Sequence, residues 1–180
     1  MHAAQLAALA ALLTTPALAQ TPSVELPSRR AGHWEIRTLM EGREGGPEMV
    51  AQTCTDAATE RQMLQFGMGM AGQVCQRYDI RRVGQEFHIE TDCQMGPMRS
   101  VSRSVMSGDF QSSYSVRIEG TMTTPGQSQP QATSMVQNAR WVGAACTGGL
   151  VPGDIQTMGH KVNIRNMPGF GGGAAQPRRP

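Results

Sequence analysis

A period-two alternation over residues 98–120 constrains the fold of this chain more than any other feature. After the tripeptide Ser107-Gly108-Asp109, apolar or aromatic side chains alternate with polar ones, which is typical of a strand with one buried face. A two-residue turn within that tripeptide would place Val101 and Val105 on the face of Tyr114. The stretch therefore predicts a β-hairpin with one apolar face and one serine-rich face.

The rest of the chain predicts further strands and one helix. A Gly84-Gln85 turn would form a second hairpin and pair Ile80 with Ile89. Asp56 is a suitable N-cap for a helix over residues 57–66, which glycines 67, 69 and 72 would end. Other strands are predicted at residues 33–40, 48–54 and 132–142, with a short one near 161–165. The predicted fold is mainly β: a curved antiparallel sheet or partial barrel with one short helix, held by disulfides.

The N-terminus carries the pattern of an export signal. Residues 3–13 are apolar but too few to span a bilayer, and Ala17 and Ala19 give the small-x-small cleavage pattern. No Lys or Arg precedes the apolar run, which departs from the usual pattern and raises the alternative of a misassigned start. A signal peptide over residues 1–19 predicts a periplasmic or secreted protein.

The predicted organisation is a single domain. A polar lead-in covers residues 20–31, the β domain covers 32–167, and a Gly/Pro/Arg-rich disordered tail covers 168–180. The net charge is only +2 and the basic residues are not concentrated in one stretch, which argues against nucleic-acid binding. No stretch after the signal is apolar enough to cross a membrane, and the oligomeric state is not predicted.

The chain has four cysteines, Cys54, Cys75, Cys93 and Cys146. In an exported protein these predict two disulfides, for which three connectivities exist. The expected register of the Gly84-Gln85 hairpin points Cys75 and Cys93 to opposite faces, so a bond between them would need a bulge. We therefore favour Cys54–Cys75 and Cys93–Cys146. The spacings match no zinc site, and neither a metal nor another cofactor is predicted.

Several short motifs resemble the bacterial exported family of domains of unknown function numbered 3617. The resemblance covers roughly residues 32–166, and His33 departs from it because such proteins more often carry an apolar residue there. It implies an exported, mostly β domain and no particular activity. The motifs that carry it, together with the four cysteines, are Gly32-His33-Trp34-Glu35, Cys54-Thr55-Asp56, Ser107-Gly108-Asp109-Phe110 with Tyr114, Trp141-Val142-Gly143 and Pro152-Gly153-Asp154.

Methionine is abundant while aromatic residues make up only 4%. Met63, Met68 and Met70, or Met95 with Met98, could supply thioether ligands to cuprous ion. The preferred interpretation is that methionine fills a core poor in aromatic rings. Copper binding therefore stays the alternative function.

No catalytic motif is present, so we do not expect an enzyme. The histidines and serines lack the spacing of a nucleophile elbow or a metal-binding helix. His88 lies on the polar parity of its strand. Hydrolysis stays a less favoured hypothesis, because two of five carboxylates could form a general acid–base pair. These carboxylates are Glu35, Asp79, Glu86, Glu90 and Asp92.

The function expected from the sequence is a non-catalytic binding or accessory module for a small apolar or amphipathic ligand. Arg99 and Arg103 share the predicted parity of Val101 and Tyr114, which would place guanidinium groups on an otherwise apolar face. Either they extend to water at a frayed strand end, or Arg103 with Tyr114 binds the anionic head of a ligand, with Arg99 nearby.

Overall fold

The computed structural model describes residues 24–41 and 48–170, so the predicted signal peptide and the end of the predicted tail lie outside the described residues. Its strands and single long helix confirm the mainly β class. The elements are β1 (Gly32–Met40), β2 (Met49–Thr55), α1 (Ala57–Val74), β3 (Cys75–Val83), β4 (Glu86–Met95), β5 (Met98–Gly108), β6 (Ser113–Thr123), β7 (Gln131–Gly143), β8 (Asp154–Thr157), β9 (His160–Asn163) and a 3-10 turn (Ile164–Asn166).

All nine strands form one antiparallel sheet in the order β3-β4-β5-β6-β7-β1-β2-β8-β9. Five consecutive strands, β3 to β7, follow the chain order as a meander. β1 and β2 then pair on the other side of β7, and β8 and β9 extend that side. The terminal strands β3 and β9 are not paired with each other, so the sheet is open.

Helix α1 links β2 to β3, which lie on opposite sides of the sheet, so it crosses the sheet. The predicted N-cap is confirmed because Asp56 Oδ1 accepts a hydrogen bond from Thr59 N at 2.7 Å. The predicted end at the glycines is wrong: the helix continues to Val74. No close contact requires glycine at positions 67 and 69, since a Cβ added to Gly67 or Gly69 would meet nothing within 4 Å outside the local helix backbone. They lower intrinsic helix stability by about 0.5–1 kcal/mol each relative to alanine.

The register of the β3–β4 hairpin is confirmed. Ile80 pairs with Ile89, and Gly84 in the turn has a φ of +62° that suits glycine. The register shifts between Cys75 and Arg77, because one extra residue in β3 forms a bulge. This bulge brings Cys75 opposite Cys93.

The predicted disulfide pairing is therefore wrong: the bonds are Cys75–Cys93 and Cys54–Cys146. The bulge accounts for the first bond. The second follows from the sheet, because β7 ends with Gly143 beside His33, and His33 pairs with Cys54 on the other side. The chain after β7 thus returns to β2 and carries Cys146 with it.

The central hairpin was predicted with the correct strands but the wrong turn. Gly108 pairs with Tyr114, so the connection is a longer loop, and Phe110 lies in it rather than in β6. Asp109 Oδ1 holds this loop by accepting hydrogen bonds from the backbone N–H groups of residues 111, 112 and 113. Five residues separate Gly108 from Tyr114 instead of two, and this odd number exchanges the faces, so Val105 pairs with Arg117 and lies on the face opposite Tyr114.

Candidate functional site

The two faces of the sheet differ sharply in charge. We call the face that carries Trp34 and Tyr114 the inner face and the other the outer face. On the described strands, the inner face has only Arg82 and His160 as ionisable basic groups, at its two edges, and no carboxylate. The other acidic and basic strand side chains are on the outer face: His33, Glu35, Arg37, Arg77, Asp79, Arg81, Glu86, His88, Glu90, Asp92, Arg99, Arg103, Arg117, Glu119, Arg140, Asp154 and Lys161.

Burial along the inner face changes from one end of the strands to the other. At the end near Phe110, Trp34 is fully buried and Ala139 is 3% exposed. At the other end, Met40 and Met49 are 41% and 45% exposed. The middle is only half-buried although its side chains are apolar; these are Ile36, Val116, Ile118 and Met135. The inner face is thus a largely apolar surface with a closed end and an open end.

Aromatic side chains build the closed end. Phe110 stacks on Tyr114 with ring centroids 5.2 Å apart, and Tyr114 meets Trp34 at 5.5 Å. Phe87 approaches Phe110 edge-on at 6.3 Å. The expectation of a core filled by methionine is wrong, because Met68, for example, is 55% exposed. The other methionines that are more than one-third exposed are Met40, Met49, Met70, Met95, Met98, Met158 and Met167.

A buried ion pair lies beside this aromatic group. Arg29 donates from Nε and Nη2 to the two carboxylate oxygens of Glu60 at 2.9 and 2.8 Å, and Thr55 Oγ1 also donates to Glu60. Burial opposes the charge of Arg29, but its hydrogen bonds to Glu60, the charge of Glu60 and the nearby Tyr114 side chain raise its pKa above the ordinary value. Glu60 occupies the guanidinium fork, so Arg29 is not free to bind an anion.

The polar atoms of the inner face are mainly neutral. Thr91 and Ser102, on neighbouring strands, share a hydrogen bond of 2.8 Å between their hydroxyl oxygens. Thr53, which pairs with Trp34, is only 6% exposed, and its hydroxyl has no hydrogen-bond partner within the described part of the chain. A buried hydroxyl without a partner is costly, so Thr53 is a polar group of the inner face that the described residues leave unsatisfied.

The structure does not bring together the side chains predicted to bind an anionic head. Tyr114 lies on the inner face, whereas Arg99 and Arg103 lie on the outer face, so the predicted shared face is wrong. Asp92 binds Arg99 through two hydrogen bonds of 2.8 and 2.6 Å. Arg103 is 82% exposed and lies 3.8 Å from Glu90. Arg103 and Tyr114 therefore cannot form one site in this fold.

Of the predicted methionine ligands, Met95 and Met98 face each other as a cross-strand pair beside the β4–β5 turn, whereas the three on α1 are dispersed. Met63 lies against Arg29, with its sulfur 3.7 Å from a guanidinium nitrogen. Met68 and Met70 are exposed on α1, two residues apart on a helix and hence on different faces. Copper binding thus gains no support from the helix methionines.

The carboxylates considered for acid–base chemistry lie on the outer face, where Glu86 lies beside His88 and the other four pair with arginine. The pKa of Glu35 is lowered by its hydrogen bonds to Gln52 and Arg37, and that of Asp92 by Arg99. Carboxylates with lowered pKa values are poorly suited to accept or release a proton near neutral pH.

His33 lies in a buried hydrogen-bond chain on the outer face. Its Nε2 lies 2.8 Å from Gln52 Oε1, and its Nδ1 lies 3.0 Å from Thr147 Oγ1. Gln52 donates its amide to Glu35, which fixes its oxygen toward His33. The neutral Nε2–H tautomer satisfies every group, with Thr147 donating to Nδ1. This chain attaches the loop that carries Cys146 to β1 and β2.

Sequence reasoning missed Arg29, Glu60, Thr53 and Phe110 as parts of the closed end. Arg29 was assigned to the lead-in, and its pairing with Glu60 spans residues far apart in sequence. The sequence pattern carries no signal for that pairing. Interpreting Asp109 as a residue that anchors a longer loop, rather than as part of a two-residue turn, would have placed Phe110 in that loop.

Comparisons with known proteins place the chain in a family. Among the described residues, no helix is long and apolar enough to cross a membrane. Neither the curated proteins nor the solved structures contain a match to this chain. A family model described as "Protein of unknown function (DUF3617)" matches residues 29–146, which is more than half of the chain and starts at Arg29. The chain therefore belongs to the DUF3617 family, as the cysteine and hairpin motifs had indicated.

Proposed function

We propose that this protein is an exported, non-catalytic binding module that holds a small apolar or amphipathic ligand on the inner face of its sheet. The observation that carries the proposal is the separation of charge described above. Half-exposed strand positions usually carry charged or polar residues, yet those of the inner face are mainly apolar or hydroxyl-bearing. A ligand covering Ile36, Val116 and Ile118 would remove this apolar surface from water.

The position of helix α1 supports the same proposal, because the helix begins after Thr55 and ends before Cys75, which both lie on the inner face. Helix α1 crosses the sheet, and its N-terminal part is fixed by the Arg29–Glu60 pair. Its middle contains Gly67 and Gly69, which weaken the helix and fill no tight contact. We infer that α1 moves relative to the sheet to admit a ligand, with its glycines as the weak segment.

Export is the second part of the proposal. Cys54–Cys146 and Cys75–Cys93 are compatible with an oxidising, extracytoplasmic compartment. In this proposal, residues 1–19 are the signal peptide that directs export.

The proposal is tested by native mass spectrometry of the mature protein isolated from the periplasm of an expression host. We expect the wild-type protein to retain an apolar adduct. Val116 and Val105 provide a matched pair, because both are half-buried valines on neighbouring strands but lie on opposite faces. Val116→Lys should lose the adduct, since it places an ammonium on the inner face, and Val105→Lys should retain it.

Two results would contradict the proposal. One is an adduct that survives equally in both variants. The other is a wild-type protein that carries no adduct and also fails to bind the neutral apolar dye Nile red. Circular dichroism of both variants controls for loss of the fold.

A further inference from the structure

We propose that the ligand is electrically neutral and that its polar end is a hydroxyl or carbonyl group placed at the closed end of the inner face. This inference rests on the proposed function and specifies the chemical class of its ligand. The sequence alone had suggested the opposite, an anionic head bound by Arg103. The structure places that arginine on the outer face, 82% exposed.

The charges at the closed end argue for a neutral ligand. An anion buried there would need a free cation, because taking an ion out of water without a partner is costly. Arg29 is the buried cation at this end, and Glu60 already neutralises it with two hydrogen bonds. The neighbouring Arg30 is exposed, with its guanidinium 3.8 Å from the centroid of the Trp141 ring. The side chains of both residues are nearly inaccessible, at 11% and 6% exposure.

Arg82, the other arginine of the inner face, is poorly placed for this role. It lies on the terminal strand β3, donates to the carbonyl oxygen of Gly84 at 3.2 Å, and stands 5.7 Å from the Phe87 ring. Thr53 lies on β2, with five strands between the two. A head group at Thr53 would therefore not reach Arg82.

Thr53 supplies an independent reason for a polar neutral group. Its hydroxyl is buried, lies on the inner face beside Trp34, and has no partner in the described part of the chain. A hydroxyl can donate to a carbonyl or share a hydrogen bond with another hydroxyl. A neutral lipid such as a fatty alcohol or an acylglycerol offers that group together with an apolar chain for Val116, Ile118 and Met135.

The test compares two probes with the same chain length, the neutral alcohol dodecanol and the anion dodecanoate, as displacers of Nile red from the full mature protein. At a pH of about 8 the acid is fully ionised. We expect dodecanol to displace the dye with an affinity at least about tenfold higher than that of dodecanoate. Equal or tighter binding of dodecanoate would overturn the neutral-ligand inference and leave the binding function standing. Failure of the protein to bind Nile red or either probe would instead overturn the proposed function.

A variant of the Arg29–Glu60 ion pair provides a second test of the preference for a neutral ligand. Glu60→Gln removes the carboxylate that occupies Arg29, so the guanidinium becomes available to an anionic head. Dodecanoate should then gain at least about tenfold in affinity relative to dodecanol. Glu41→Gln is the control, because Glu41 pairs with Arg117 of the outer face. An unchanged ratio in folded Glu60→Gln protein would count against the inference, and the wild-type comparison decides it if that variant does not fold.

Discussion

Replacing Cys54 and Cys146 with serine is expected to lower the free energy of unfolding by about 4–5 kcal/mol. The bond joins residues separated by 92 positions, so its loss frees a long loop in the unfolded chain. The corresponding change at Cys75 and Cys93, with a separation of 18, should cost about 3 kcal/mol. Urea denaturation of the oxidised proteins measures both values.

A separate experiment checks the disulfide pairing itself. A non-reducing peptide map of the wild-type protein should recover Cys54 linked to Cys146 and Cys75 linked to Cys93. Recovery of Cys54 linked to Cys75 would show that the chain after β7 does not return to β2. A smaller loss for the Cys54 and Cys146 variant than for the other would contradict the loop argument.

Phe110→Ala is expected to destabilise the fold by about 3–5 kcal/mol. Phe110 is 3% exposed, and its ring contacts both Tyr114 and Phe87. Its loss would leave a cavity at the closed end, and the loop held by Asp109 would lose its apolar anchor. Thermal and urea unfolding, with circular dichroism of the native state, provide the measurement.

Val101→Ala is the control for Phe110→Ala. Val101 lies on the outer face of β5 and is 40% exposed, so its truncation should cost less than about 1 kcal/mol. A loss for Phe110→Ala as small as that of Val101→Ala would mean that the closed end is not a packed core.

Local signals predicted the parts of the fold that local chemistry decides. Asp56 predicted the start of α1, and Gly84 predicted the β3–β4 turn together with its register. The end of α1 could not be predicted in this way, because the helix continues through three glycines until Val74 meets β3. Helix propensity is a weak guide where a segment is held at both ends by the rest of the fold.

The central hairpin shows how one local error reverses a functional interpretation. Asp109 accepts hydrogen bonds from the Ser112 hydroxyl and from three backbone N–H groups of the loop, and these hold its pKa well below the ordinary value. The resulting loop has five residues instead of two, and this odd number moved Val101, Arg99 and Arg103 to the outer face. Because strand side chains alternate, such a shift exchanged the predicted apolar and polar faces.

The candidate site was predictable only in part. Alternation along single strands indicated one apolar face, and Tyr114 was placed on it correctly. The Arg29–Glu60 pair, the bulge at Cys75 and the unpartnered Thr53 hydroxyl depend on contacts between distant segments. A sequence pattern does not contain that information.

Methionine methyl groups give the most direct test that the inner face is the binding face. In NMR spectra of protein with isotope-labelled methionine methyls, titration with dodecanol should shift the signals on the inner face, which are those of Met40, Met49, Met95, Met98, Met106, Met122 and Met135. Met158, which is 79% exposed in the β8–β9 turn, should not shift. Shifts confined to Met158 and Met167, with the inner-face signals unchanged, would contradict a ligand site on this face.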